Sequence, residues 1–455
     1  MRIRPGRPER AISAASEPPT PAESPAAPAP VVASPVSAEG GPPSGRGPRL
    51  GALSDARYRR YWLGSLASIG GIQLVVLGQG WLIVQVLGGS PLALGALGGA
   101  QALPTILMTV FGGVIADRVD RRSLLQVTAL VSASLLLLLG TLDVTGYVQI
   151  WHVILVAAGL GLVQGVDQPT RNAFFPALID RQNLPSAVAL NAILWQSTRI
   201  VSPMIGGIAI ALVNTSVVFY MSAAGFIAMF FVLWSLRVPR VVQGPDRNVL
   251  RDLQEGVSFI ARSRLFATLI LLTYAHMFFG MQYIQLMPLV AARFGVGPEG
   301  LGLLFTVVGI GAVSGTLLTL RLQGGRALGR MLLVAVFTAE LLIVAFAVAP
   351  LYEAALVLLF LASVANSVFT ISSMTALQMR VPDHLRGRVM GLHGITFSMM
   401  PLGGLFGGAV AQVTDVRVSI ALGGLIMIAL IAFVTVTRRE IARLDGRREA
   451  AAETS

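Results

Sequence analysis

From Tyr61 onward the chain returns again and again to apolar stretches of about 20 residues, and that recurrence limits what it can fold into. At 1.5 Å per residue, one such stretch crosses the roughly 30 Å hydrocarbon core of a bilayer. The stretches place helices near residues 62–87, 92–116, 123–142, 149–172, 188–213, 216–236, 265–290, 300–320, 330–349, 352–379, 388–412 and 416–437. The longest internal break, roughly 237–264, follows the sixth. The expected fold class is therefore an all-α membrane protein of twelve transmembrane helices in two six-helix halves. Composition agrees: 12% of residues are charged, half the ~25% of a soluble domain. With no cysteine, disulfides, thiolate metal sites and cysteine nucleophiles are excluded.

Five regions follow from this pattern. Residues 1–50 are rich in Pro, Ala, Ser and Gly, lack the continuous apolar core of a signal peptide, and are expected to be a disordered tail. Residues 51–236 and 265–437 form the two bundles. Residues 237–264 form a linker with an amphipathic segment, and 438–455 a basic tail. The net charge is +12, carried by 34 basic residues that are all arginine. In a soluble protein that charge would point to nucleic acid. Here the arginines fall in loop after loop on one side, at Arg57, Arg118, Arg181, Arg240, Arg264, Arg326, Arg386 and Arg438 among others. The opposite side carries only Arg293 and Arg417. The positive-inside rule then makes that side, both termini and the linker cytoplasmic, and the nucleic-acid reading falls away.

A shift of 201 positions lays "NLPSAVALNAILWQSTRIVSPMIGG" over "HLRGRVMGLHGITFSMMPLGGLFGG". Leu184 meets Leu385, Val188 meets Val389, and Gly206-Gly207 meets Gly407-Gly408. Two similar halves place a substrate site at the bilayer midplane between them.

The densest charge lies in "GGVIADRVDRR", residues 112–122, at the end of the second span. Gly113, Asp117, Arg118, Arg121 and Arg122 there resemble the signature loop of the major facilitator superfamily, with Asp120 where that pattern has a second glycine. The resemblance implies that Asp117 latches onto the cytoplasmic end of a helix of the other half. A carboxylate at a helix N-terminus gains about 0.3–2 kcal/mol, enough to bias two states without freezing one. Anchoring to anionic membrane lipid is the simpler role for the arginines. In the fifth span "RIVSPMIGG" resembles the superfamily's antiporter motif, with Ser202 in the place of its first glycine, followed by Pro203, Gly206 and Gly207. Within the resemblance this implies export. Together with "DQPTRNAFFPALIDRQNLPSAVALN" and "LRDLQEGVSFIARSRLF", these motifs are similar to the branch that holds enterobactin exporters and macrolide efflux proteins, over about residues 50–440.

Ionisable and polar groups inside spans are costly, so they are the candidates for function. Asp167 and Arg171 stand four apart on one face of the fourth span, as a gate or as a local ion pair. Arg199 lies near mid-depth, where it could hold an anionic substrate or a buried carboxylate. Glu340 is central in the ninth span and His276 and His393 lie in the seventh and eleventh, each either a proton carrier or a packing residue. Tyr283, Asn366 and Met400 are further candidates for contact with a bulky amphipathic substrate.

The expected function is a secondary transporter of the cell membrane, a monomer exporting a small molecule such as a siderophore or drug, with protons as the coupling ion. No G-x-x-x-x-G-K-[ST] loop is present for ATP. Uptake or lipid translocation on the same fold is the alternative. A membrane-embedded enzyme would want H-E-x-x-H or G-x-S-x-G, and neither occurs. No catalytic residue, cofactor or metal is expected.

Overall fold

The computed structural model of the protein describes residues 51–236, 249–322, 328–438 and 441. The expected tail over 1–50, linker residues 237–248 and all but Arg438 and Ile441 of the basic tail lie outside the described residues. Every regular element among the described residues is helical. In chain order these are α1 (Gly51–Ser54), α2 (Ala56–Trp81), α3 (Pro91–Arg118), α4 (Arg121–Val144), α5 (Ile150–Phe174), α6 (Leu184–Leu212), α7 (Ser216–Ser235) and α8 (Val249–Arg262). They continue with α9 (Arg264–Ala275), α10 (Tyr283–Phe294), α11 (Pro298–Leu322), α12 (Leu328–Val348), α13 (Tyr352–Arg380), α14 (Asp383–Gly394), α15 (Thr396–Val413) and α16 (Val416–Thr437). Among the described residues, eleven spans are long and apolar enough to cross a membrane. The twelfth expected span is α6, which has the length at 29 residues but loses apolarity over Gln196, Ser197, Thr198 and Arg199.

Local chemistry sets the helix starts. Asp55 accepts from the Arg57 N–H at 2.7 Å, and Ser90 from the Ala93 N–H at 3.2 Å, with Pro91 in the first helical position. Each such cap satisfies an orphan donor and contributes about 1 kcal/mol. Asp120, the residue that departs from the superfamily loop pattern, caps α4: its carboxylate accepts from the Ser123 N–H at 3.0 Å and hydroxyl at 2.6 Å.

Two spans expected to be continuous are broken. The seventh runs through α9, then a π-helical turn at His276–Gly280, then α10. The Met281 N–H reaches five residues back to the His276 carbonyl at 2.9 Å, so the simple helical stripe His276, Gly280, Tyr283, Met287 is re-phased. Such turns gather at functional positions. The eleventh span splits at Ile395 into α14 and α15, beside Gly394, which holds helical geometry weakly.

Helices α2–α7 pack on one another, α9–α16 do likewise, and two long seams join the sets: α3 against α15, and α6 against α11. Both seams are backbone on backbone. A Cβ added at Gly98 would strike the Pro401 carbonyl oxygen, and one added at Gly302 the Pro203 carbonyl oxygen. Small residues of this kind let helices approach where lipid supplies no hydrophobic drive. Two hydrogen bonds cross the seams: Leu92 N–H to Gln412 Oε1 at 3.3 Å, and Thr306 Oγ1 to the Ile200 carbonyl at 2.9 Å. Leu138, Leu155, Phe231, Trp234 and Phe433 stand exposed on outer faces, the pattern of a surface that meets lipid.

Candidate functional site

The charged loop after α3 is held within its own half. Arg121 donates to the Ala173 carbonyl at 3.1 Å, at the end of α5. Arg122 donates to the Leu233 and Trp234 carbonyls at 2.8 and 2.7 Å, at the end of α7. Carbonyls at a helix C-terminus lack intrahelical partners and carry partial negative charge, so a guanidinium there both caps and neutralises them. These two arginines staple three helix ends together. The side chains of Gly113, Asp117 and Arg118 lie outside the described residues, although the backbone of all three completes α3.

One buried polar cluster lies in the first half. Arg171 Nε donates to Asp167 Oδ2 across one turn of α5. The other carboxylate oxygen accepts from Thr128 Oγ1 of α4 at 2.7 Å, and Arg171 Nη1 donates to Ser68 Oγ of α2 at 3.3 Å. Tyr61 lies beside the pair and packs on Phe174 with ring centroids 5.6 Å apart. Three helices are therefore tied through one ion pair. Removing either partner would strand a buried charge, which typically costs 3–5 kcal/mol. Pro169 does not interrupt α5, which runs unbroken to Phe174.

A second cluster lies in the other half and brings together three candidates from three helices. His276 Nδ1 meets Glu340 Oε1 at 2.7 Å, and its Nε2 meets Asn366 Oδ1 at 2.6 Å. Glu340 is 0% exposed and His276 1%. Phe369 closes one side of the imidazole, 4.7 Å between centroids. Glu340 sits in α12, a helix at the periphery of its half, yet its carboxylate reaches inward to the seventh span. Gly280 makes that possible: a side chain there would overlap Glu340 Oε1 and His276 Nδ1. With Asn366 Oδ1 accepting from Nε2–H, one proton is shared between Nδ1 and the carboxylate. The pair is then either two opposite charges or two neutral groups, both tolerable in a buried site. Glu340 Oε2 has no hydrogen-bond partner among the described residues.

The remaining candidates fall around these clusters. Tyr283, 1% exposed, bonds Ser363 and lies within electrostatic reach of Glu340 and Arg199. Arg199 thus faces the opposite half across the α6–α11 seam, where its own carbonyl abuts Gly309. Ser202 approaches Gly70 of α2, Gly206 packs on Leu74, and Gly207 meets the Pro298 carbonyl of α11. The antiporter-like motif is therefore a packing surface on two sides, with Pro203 inside an unbroken α6. His393 is 4% exposed and its Nε2 has no hydrogen bond among the described residues. It stands apart from the His276 cluster, at the end of α14. Met400 packs against the main apolar core. Among the described residues no group of three His, Asp or Glu side chains could hold a metal ion.

Ser68 and Thr128 were missed by sequence reasoning, because a lone hydroxyl in a span normally bonds its own helix backbone and carries no signal. Gln101, Gln164 and Gln168 were missed as well. As uncharged polar side chains within spans, they were a signal that could have been used.

Two bundles of six joined along two glycine seams, each with one buried polar cluster, define a membrane transporter of the major facilitator fold. The same fold occurs in the nucleoside transporter NupG, with a TM-score of 0.66 at 15% identity over 84% of this chain and 99% of that one. It also occurs in a bacterial homologue of the human lysosomal transporter Spinster, with a TM-score of 0.67 at 16% identity over 85% and 98%. The model of the family described as transmembrane secretion effectors matches residues 48–452, and the chain belongs to that family. Relatives include the uncharacterized MFS-type transporter YfiS of Bacillus subtilis (strain 168), 26% identical over 78% of this chain and 86% of YfiS. Another is the enterobactin exporter EntS of Salmonella choleraesuis (strain SC-B67), 26% identical over 70% of this chain and 78% of EntS.

Proposed function

We propose that the protein is a secondary exporter of a small amphipathic molecule, driven by protons moving inward across the cell membrane while the two halves rock about their seams. The observation that carries this reading is the His276–Glu340–Asn366 cluster, in which two groups able to carry a proton meet among the spans. An inward proton releases about 2.3 kcal/mol per 100 mV, enough to sustain a useful gradient of an uncharged substrate. The similarity to enterobactin exporters supports the outward direction. In this reading Asp117 latches the halves at the arginine-rich end, which faces the cytoplasm.

The test is uptake of a panel of amphipathic compounds into energised inverted vesicles, with and without a protonophore. Protonophore-sensitive accumulation is expected for the parent protein and its loss for Glu340→Gln. Accumulation that ignores the protonophore overturns proton coupling, and accumulation only in right-side-out vesicles overturns export in favour of uptake.

A further inference from the structure

A cleft of about 40 Å³ indents the first half between α2, α3, α5 and α6, with Ser132 of α4 and Phe226 of α7 also in its lining, so it admits a polar group and leaves a ring at its mouth. Its lining residues all lie between Ile69 and Phe226, so every group it offers comes from the first half. Its polar wall is Gln101, Gln164, Gln168, Asp167 and Arg171, and Trp195 stands among them.

The chemistry of that wall is specific. Gln101 Nε2 donates to Gln164 Oε1 at 3.5 Å, at the long limit of a hydrogen bond. Gln168 makes no side-chain hydrogen bond among the described residues. An amide offers two donors and an acceptor oxygen with two lone pairs, so three half-buried glutamines leave most of their capacity for something else. The carboxylate of Asp167 is already held by Thr128 and Arg171. A cation entering the cleft would find no free counter-charge and would lose its hydration uncompensated. An acceptor oxygen, in contrast, has amide donors on several sides, with Arg171 among the lining residues. Trp195 and Phe226 offer flat apolar faces to a ring.

We propose that this cleft is a substrate-binding site for an aromatic amphiphile that bears carbonyl or hydroxyl oxygens and no net positive charge. The glutamine amides grip the polar end, and Trp195 packs against the ring. The proposal rests on the exporter reading, of which it names the substrate class. It also separates tasks between the halves, with substrate held in the first and the proton in the second.

The test uses the full chain in lipid nanodiscs and three naphthyl probes that differ in one group: a primary amide, a carboxylate and a trimethylammonium. Binding is followed through quenching of tryptophan fluorescence, with Trp195→Phe identifying the part of the signal that comes from this residue. The amide and carboxylate probes are expected to bind, and the ammonium probe at least about tenfold more weakly. Gln164→Leu and Gln168→Leu are each expected to weaken the amide probe about tenfold. Phe433→Leu, on the lipid face of α16, should bind as the parent does. Melting of each variant separates lost binding from lost fold. Preference for the ammonium probe, or parental affinity in folded Gln164→Leu and Gln168→Leu, overturns the proposal. The vesicle assay keeps the two readings apart: proton-driven export with unaltered binding in these variants overturns the cleft alone. Probe binding without transport in either direction overturns the exporter reading alone.

Discussion

Each half of the molecule buries one polar cluster on its first, third and fourth spans, and the two solve the same problem with different chemistry. In the first half Ser68, Thr128, Asp167 and Arg171 join α2, α4 and α5. In the second half His276, Glu340 and Asn366 join the π-turn, α12 and α13. A guanidinium keeps its proton under all ordinary conditions, so the first cluster is a fixed rivet. In the second, an imidazole meets a carboxylate, and a proton between them can reside on either while the two remain paired. Equivalent places in a pseudo-repeated fold thus hold an arginine–carboxylate tie in one half and a histidine–carboxylate tie in the other.

Arg171→Met should break the contrast most severely, because Asp167 would keep only its Thr128 partner. A loss of about 3–5 kcal/mol is expected in thermal or denaturant unfolding, with much of it recovered in the double variant Asp167→Ala/Arg171→Met. Gly280→Ala should come next. Its methyl group must displace the Glu340 carboxylate and the His276 ring, at about 1–3 kcal/mol. The pH profile of transport should move with it, whereas a mere packing role would lower stability and leave the profile in place. Glu340→Gln sharpens the comparison in the other direction. Glutamine retains an acceptor for His276, so unfolding should shift by no more than about 1.5 kcal/mol, while the protonophore-sensitive part of transport disappears. A stability loss as large as that of Arg171→Met would mean that both clusters are rivets. The smallest effect belongs to Ser68→Ala, which removes one long hydrogen bond to Arg171 and should cost about 0.5–1.5 kcal/mol in the same unfolding measurement.

The fold class was legible, and the span count to within one, because hydrocarbon imposes a length and a polarity on any helix that crosses it. The partners of the buried charges were legible only in part. Asp167 and Arg171 share a helix, and their four-residue spacing announced them. Glu340 and His276 are 64 positions apart, on helices whose rotation no local pattern reveals. The π-turn then re-phased the very stripe on which the spacing of His276, Gly280 and Tyr283 had been read. Asp120 looked like a departure from a loop pattern and is a helix cap, a role set by the three residues after it. The cleft was invisible for a different reason: glutamine is a modest cost within a helix bundle, and its meaning depends on which other amides face it.

The glycine seams bear on how the molecule can move. Where two backbones touch directly, no long side chain has to be released and recaptured as the surfaces separate. The two hydrogen bonds across the seams are the only ones found there among the described residues. Such a joint works as a bearing, with resistance spread evenly along the stroke, and not as a clasp with one point of failure. In the proposed transport cycle, decisions about when the halves part would then fall to groups outside the seams.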